Sequence, residues 1–525
     1  MPEGDGHHAG TPEQDAPGRR GTPGRAWRRY PIVAVVALLV AASAAYWFDL
    51  GPRWFGFDYP SPVTQPAEVP APPGLTLPTA KPARSVADPS AEQPVDPAAV
   101  RRAVASLVRS KALGRQVAVE VAQLSDDHTV YTHGPNRITP ASTMKLLTTT
   151  AALQVLGPEH RFDTTVVARR ASRQVVLVGG GDPLLARSPD PNGDSYPVRA
   201  DLRTLAKSTA TALKQSGRTR IRLGYDTSLF TGPAANPRWP GSYLTEDVVS
   251  RISPLWVDEG RVKNGLTLRS PDPSAAAAEV FRSELEKHGI RVHGTPVPKL
   301  APHGAEELAK VQSAPLAEIV QHILEASDNE GAEVLARQVA IAEGRPASFS
   351  GGVAAVRRVL TRLGIDLAGD RFYDGSGLSR MDRLHPGTLL SVLETAAAGD
   401  RPDLRPVVAD VPVAGFTGSL AYRFETGNPA GLGTVRAKTG TLTGVSGLAG
   451  TVTSQDGAVM AFVAVANRVH VDNTLAARAR LDDIAAALAG CTCSATGGPG
   501  PSAAPGATGA PTPSASPAPS TSATP

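Results

Sequence analysis

Proline marks where this chain can build a core and where it cannot. From Pro60 to Pro97 a proline recurs every few residues among Ala, Val and Thr, and from Ser494 to Pro525 the chain is almost wholly Pro, Ala, Gly, Ser and Thr. The first composition favours an extended, semi-rigid spacer; the second cannot bury enough apolar surface to fold and reads as a disordered tail. Of the 525 residues, the foldable part therefore runs from about Asp96 to about Cys493, enough for one large domain or two ordinary ones.

Ahead of the spacer, the apolar run Ile32 to Phe48 follows Arg19, Arg20, Arg25, Arg28 and Arg29 and is trailed by Tyr46, Trp47 and Trp54. Basic residues before such a run and aromatic residues after it mark a membrane segment whose N-terminus, residues 1–30, is a disordered cytosolic piece. The run is slightly short of the roughly 20 residues that cross a bilayer core, and Ala42-Ser43-Ala44 offers a small-residue cleavage site. A retained anchor and a cleaved signal both remain open, and both put everything after residue 50 outside the cytoplasm.

The 53 basic and 49 acidic residues leave a formal net charge of +4, with arginines scattered through the middle of the chain. No basic segment suggests a nucleic-acid partner. Only 10 of the basic residues are Lys, so each lysine is an informative position. The two cysteines, Cys491 and Cys493, exclude a disulfide framework and a Cys-based metal site; pairing locally, bonding between chains or staying reduced all remain open. The eleven histidines show no metal-ligand spacing, and no cofactor is expected.

Periodicity predicts a helix near Pro97–Ser110, strands near Gln116–Gln123 and Thr129–Thr132, and a helix from Ser142 to about Leu156. A mixed region from Phe162 to Val297 follows, with a strand at Gln174–Val178 and helices near Arg199–Gln215 and Ala275–His288. Helices resume at Pro315–Ala326, Asp328–Ala342 and Gly351–Leu363. The C-terminal part offers strands at Gly433–Lys438, Gly444–Thr453 and Ala458–Asn467, then a helix from Asp472 to Ala489. Three neighbouring antiparallel strands followed by a helix suggest a sheet covered by helices.

Three short motifs carry chemistry. Lys145 follows Ser142 by three positions at the head of an apolar helix, which puts hydroxyl and amine on one face, one turn apart. Serine is a weak nucleophile until a neighbouring base takes its proton, and a lysine can do so only if its pKa falls well below about 10.4. Burial among Met144, Leu146, Leu147 and Leu153, with Lys438 as a second cation, would depress it. Ser142 and Lys145 form the only such pair in the chain. The second motif is Ser327-Asp328-Asn329 at the head of a helical stretch, residue types that also serve as ordinary helix caps. The third is Lys438-Thr439-Gly440-Thr441 at the end of a predicted strand. A cation flanked by hydroxyls, with a glycine that admits close backbone approach, suits a carboxylate beside a reacting carbonyl.

In this order, Ser-x-x-Lys, Ser-Asp-Asn and Lys-Thr-Gly resemble the signature set of penicillin-binding proteins and serine β-lactamases. The 185 residues between Ser142 and Ser327 leave room for an inserted region and narrow the likeness to the type-4 low-molecular-mass penicillin-binding proteins, a D-alanyl-D-alanine carboxypeptidase and endopeptidase family. Gly179-Gly180-Gly181-Asp182-Pro183, Asp226-Thr227-Ser228-Leu229-Phe230 and Asp374-Gly375-Ser376-Gly377-Leu378-Ser379-Arg380 fit the same family. No Lys-Ser or Lys-Thr closes the glycine triplet as a phosphate loop would require.

The resemblance implies an α+β fold, an antiparallel sheet flanked by helices, with an inserted α/β subdomain. It divides the chain into a linker at 51–97, a peptidase domain at 98–160 and 300–490, and an insertion at 161–299. It implies that Ser142 is the nucleophile, Lys145 its base, Ser327 a proton relay and Asn329 a positioning group. Lys438, Thr439 and Thr441, on a strand opened by Gly440, would hold the terminal carboxylate, and the backbone N–H groups of Ser142 and Thr441 the oxyanion. Asp182 and Arg380 would recognise the charged end of the stem peptide's third residue. Peptidoglycan stem peptides are then the substrate and β-lactams the inhibitors. A serine β-lactamase and a non-catalytic cell-wall scaffold are the alternatives: the first would release labelled penicillin quickly, and the second would show no activity on a D-Ala-D-Ala peptide.

Overall fold

A computed structural model describes residues 94–124, 128–263 and 267–495. Its centre is a five-stranded antiparallel sheet in the order β2-β1-β11-β10-β9, built from β1 (Gln116–Gln123), β2 (Thr129–His133), β9 (Arg436–Leu442), β10 (Val445–Thr453) and β11 (Val459–Asn467). The three C-terminal strands expected from the sequence are thus joined by two from the N-terminal end. β1 lies against β11 in full register, from Gln116 opposite Asn467 to Gln123 opposite Met460.

Side-chain alternation sorts each strand between two cores. Met460, Phe462, Ala464 and Ala466 of β11 face one side with Val117, Val119 and Val121 of β1. There they meet α1 (Pro97–Val104) and the C-terminal helix α9 (Thr474–Ala489), through Val100, Val104, Leu481, Ile484 and Leu488. Ala461, Val463 and Val465 face the other side with Ala118 and Ala122. Because both faces are covered, β11 reads as a continuous apolar run rather than an alternating one.

The second face is packed by helices. α2 (Lys145–Leu156) is buried at every position from Lys145 to Leu153, and α6 (Asn329–Ala342) from Glu330 to Ala340. A helix buried all round belongs in the middle of a core; here α5 (Leu316–Ala326), α7 (Phe349–Arg362) and α8 (Pro386–Ala397) surround the pair.

The inserted region has its own core around Leu177, Leu205, Leu223, Phe281 and Leu285. Its mixed sheet runs β6-β5-β4-β3-β8, with β7 also beside β5. The strands are β3 (Asp163–Ala168), β4 (Gln174–Val178), β5 (Arg220–Asp226), β6 (Arg291–Val292), β7 (Val297–Pro298) and β8 (Glu306–Gln312), with helices α3 (Leu202–Gln215) and α4 (Pro273–Lys287). β8 pairs with β3 from Gln312 to Glu306, so the insertion closes at Gln312 rather than at residue 299. β8 is largely exposed and rich in Glu, Lys and Gln, which hides it from an apolar pattern.

Other departures are local. The helix expected over Pro97–Ser110 ends at Val104, with a separate 3-10 turn at Leu107–Arg109. Lys438 to Thr441 lie inside β9 rather than at a strand end. Cys491 and Cys493 are bonded to each other. Beside them the two ends of the described chain meet, with Val95 bridging Ser494. No helix among the described residues is long and apolar enough to cross a membrane, and the run Ile32 to Phe48, the spacer up to Gln93 and the tail beyond Ala495 lie outside them.

Candidate active site

Ser142 occupies a 3-10 turn, Ala141–Met144, that feeds directly into α2. Two glycines fix it. A Cβ on Gly377 would stand 1.9 Å from the Ala141 carbonyl oxygen, and one on Gly440 would stand 2.7 Å from that of Pro140. Gly377 also takes φ +81°, a conformation costly for other residues. The nucleophile segment is therefore clamped between the 374–380 loop and strand β9 by contacts only glycine permits.

One turn on, Lys145 is fully buried. Its Nζ lies 2.9 Å from Ser142 Oγ and 2.8 Å from both Asn329 Oδ1 and the Ser376 carbonyl oxygen. Burial pulls its pKa down to about 8, while the carboxylates of Asp328, Asp374, Glu333 and Glu330 act in the opposite sense. The expected help from a second cation falls mainly on the other partner: Lys438, also fully buried, is held well below the ordinary lysine value first by burial and then by Lys145.

The Ser-Asp-Asn motif sits between α5 and α6. Ser327 ends α5 in the left-handed region at φ 58°, ψ 37°, and that reversal sends Ser327 and Asn329 toward the cleft while Asp328 turns inward and is buried. A non-glycine residue held this way stores about 1–3 kcal/mol of strain and marks a functional turn. Lys438 Nζ donates to Ser327 Oγ at 2.9 Å and to the Thr439 carbonyl at 2.9 Å. Thr439 Oγ1 lies 2.8 Å from Ser419 Oγ, and Thr441 is exposed on β9, the edge strand of the sheet.

The loop 374–380 supplies a part that motif reading assigned to no residue. Glu333, one turn after Asn329 on α6, accepts from the Gly375 and Ser376 N–H groups at 3.0 and 2.9 Å and from Ser376 Oγ at 2.6 Å. Asp374 accepts from Gly377 N–H, Ser379 N–H and Trp239 Nε1. Together they aim the Ser376 carbonyl at Lys145. The available signal was an Asp followed by small residues, the composition of a side-chain-stapled turn.

Asp182 and Arg380 sit in different settings, one buried and one exposed. Asp182 is buried, accepts from Leu184 N–H at 2.9 Å, and burial raises its carboxyl to about 7. Its glycine triplet docks on α6, with Gln338 Nε2 donating to the Gly180 carbonyl at 2.8 Å. Arg380 is exposed and donates to the Thr443 carbonyl at 2.7 Å, at the end of β9. Among the described residues Glu259, His322 and Asp328 offer three ligand atoms within 4.8 Å of one another, a grouping that sequence spacing did not show. Against burial, which raises it, His322 and Arg261 already hold the Glu259 carboxyl down at about 2.

A buried lysine sharing a proton with a serine, beside a Ser-x-Asn turn and a Lys-Thr-Gly edge strand, defines a penicillin-recognising serine acyl-transfer enzyme. The chain belongs to the D-Ala-D-Ala carboxypeptidase 3 (S13) family, whose sequence profile matches residues 100–267 and 262–488. It is 33% identical to a carboxypeptidase of Mycobacterium tuberculosis over 89% of this chain and 99% of that one. It is 34% identical to carboxypeptidase DacB of Mycolicibacterium smegmatis, with the same coverages. Among solved structures, penicillin binding protein 4 of Haemophilus influenzae has the same fold, with a TM-score of 0.60 and 24% identity over 73% of this chain and 97% of that one.

Proposed function

We propose that the chain hydrolyses the terminal D-alanyl-D-alanine bond of peptidoglycan stem peptides through an acyl ester on Ser142. Ser142 Oγ attacks the penultimate D-alanine carbonyl as Lys145 takes its proton. The C–N bond then breaks, Ser327 passes a proton to the leaving amine of D-alanine, and water cleaves the ester with Lys145 again as base. Lys438, Thr439 and Thr441 hold the terminal carboxylate. The backbone N–H groups of Ser142 and Thr441 receive the oxyanion, an arrangement that commonly lowers a barrier by about 3 kcal/mol per donor.

The observation that carries this reading is the set of three contacts on Lys145 Nζ, which hold a buried amine against the serine hydroxyl. β-Lactams acylate the same serine in this reading, consistent with the solved β-lactam complex of the Haemophilus influenzae protein. The Arg-flanked run Ile32 to Phe48 supports an enzyme exported across the cell membrane, anchored there or released by cleavage.

The test is to incubate purified enzyme with labelled penicillin and, separately, with cross-linked muropeptides. A stable labelled band that maps to Ser142, with mass loss of one D-alanine, is expected; cleavage at a cross-link adds endopeptidase activity. Label on another serine, or rapid release of hydrolysed drug, overturns the assignment.

A further inference from the structure

On the inner side of the Ser-Asp-Asn turn three side chains converge that the proposed reaction does not use. Glu259 comes from the 3-10 turn Asp258–Gly260 of the inserted region, His322 from α5 and Asp328 from the Ser-Asp-Asn turn itself. One ligand atom of each lies within 4.8 Å of the other two. Glu259 and Asp328 are only 4% and 8% exposed, while the His322 side chain keeps 18% and opens the cluster to solvent. Asp258, Glu259 and Gly260 take φ of 51°, 57° and 77° in succession, a strained turn that holds a carboxylate in the interior. Ser250 Oγ braces it by donating to the Glu259 carbonyl at 2.5 Å.

The charges around the cluster leave one carboxylate over. Arg269 serves Glu330 Oε1, with Nε at 3.0 Å and Nη2 at 2.8 Å. Arg261 holds Glu259 through Oε2, and Oε1 faces His322 Nε2 at 3.9 Å. Asp328 has no such partner. Although it stands at the N-cap of α6, its side chain makes no cap hydrogen bond, and among the described residues both of its oxygens are buried without a partner. The Gly331 N–H is close enough to favour the charged form but does not reach hydrogen-bond geometry. Burial and the facing Glu259 charge disfavour that form, with His322 and Lys145 acting in the opposite sense. An unpaired buried carboxylate is costly, and a cation between it and Glu259 removes the cost on both sides.

We propose that Glu259, His322 and Asp328 bind one divalent cation of the Zn²⁺ type, which ties the inserted region, α5 and the Ser-Asp-Asn turn together. One imidazole nitrogen and two carboxylate oxygens, with no thiolate, suit Zn²⁺ with water as the fourth ligand. Mg²⁺ and Ca²⁺ instead take oxygen donors alone. Donors about 2.0–2.2 Å from a tetrahedral Zn²⁺ stand roughly 3.4 Å apart, so the three have at most roughly 1.4 Å to close from 4.8 Å. Glu259 Oε1 can ligate without releasing Arg261 from Oε2. The cation braces Ser327 and Asn329 from behind and carries no step of the reaction, so the site stands independently of the proposed acyl transfer at Ser142.

The test uses the full chain, stripped of metal with a chelator and titrated with ZnCl2 in a calorimeter. One equivalent is expected to bind at micromolar or lower concentration and to raise the melting temperature, and MgCl2 at the same concentration to do neither. His322→Ala and Glu259→Gln, each checked for a cooperative melt without metal, are expected to weaken binding about tenfold or more. Co²⁺ in place of Zn²⁺ reports on the wild type with no substitution: the visible absorption of four-coordinate nitrogen and oxygen ligation is expected, with no thiolate charge-transfer band. Absence of saturable Zn²⁺ binding overturns the proposal, as does equal stabilisation by MgCl2. Undiminished binding in both variants also overturns it, by moving the metal to other histidines such as His7-His8. A weak, six-coordinate Co²⁺ spectrum does so even if neither variant folds.

Discussion

Lys145 Nζ and Ser142 Oγ stand 2.9 Å apart across a single helical turn, and the amine is wholly enclosed while the hydroxyl is half-exposed. That asymmetry matters. The base is kept from bulk water, which lowers its proton affinity, while the nucleophile stays reachable.

Acylation is therefore expected to follow titration of Lys145. With its pKa at about 8, the rate of penicillin acylation should rise about tenfold per pH unit below that value and level off above it, because only the free amine accepts the serine proton. Lys145→Ala should lower the rate at pH 8 by at least about a hundredfold, and Ser142→Ala should abolish the labelled band. A flat profile between pH 6 and 9 in stopped-flow measurements would remove Lys145 from the role of base.

The clamp on the nucleophile turn predicts a difference between two left-handed glycines. Gly344→Ala, at φ +64° with nothing within 4 Å of the added Cβ, should cost only the backbone penalty of about 1 kcal/mol. Gly377→Ala adds a collision with the Ala141 carbonyl and should cost more than about 2 kcal/mol and slow acylation. Denaturant melts of the two variants, read beside their acylation rates, check this.

Glu333 should behave as a positioning group whose charge is dispensable. Burial raises its carboxyl to about 7 from 4.5, so the folded state holds that proton where the unfolded chain has lost it. Its contribution to stability is present below about pH 4.5 and is lost as pH rises through 7. Glu333→Gln should flatten that part of the stability profile and keep most activity. Glu333→Ala, which strands the Gly375 and Ser376 donors, should lower acylation by about tenfold or more through the misplaced Ser376 carbonyl. Thermal melts across pH 4.5–7.5 and acylation assays separate the two variants.

Ser327 trades stability for chemistry. Ser327→Gly removes the strain of φ 58° and is expected to leave the melting temperature unchanged or higher, while release of D-alanine falls with loss of the hydroxyl that receives the Lys438 hydrogen bond.

The site was legible in sequence where it depends on local spacing. Ser142 and Lys145 declare their geometry through a single helical turn, and Lys438 to Thr441 announce themselves beside a strand. What joins these motifs was not legible. The Ser376 carbonyl is a backbone atom with no signature of its own, and Glu333 looks like any helical glutamate until its three donors from the 374–380 loop are seen. In the fold, strongly apolar strands such as β10 and β11 were visible, whereas β8, charged and half-solvated at the margin of its sheet, was not.

The pairing of β1 with β11 sets an order of events for the newly made chain. The segment bearing Ser142 is synthesised more than 300 residues before Asn467, yet its sheet cannot close until that last strand arrives. The inserted region, by contrast, is contiguous from Asp163 to Gln312 and needs nothing later than itself. Chains cut short before β11 should therefore be born without a working hydrolase, so that lytic capacity is withheld until translation is all but finished.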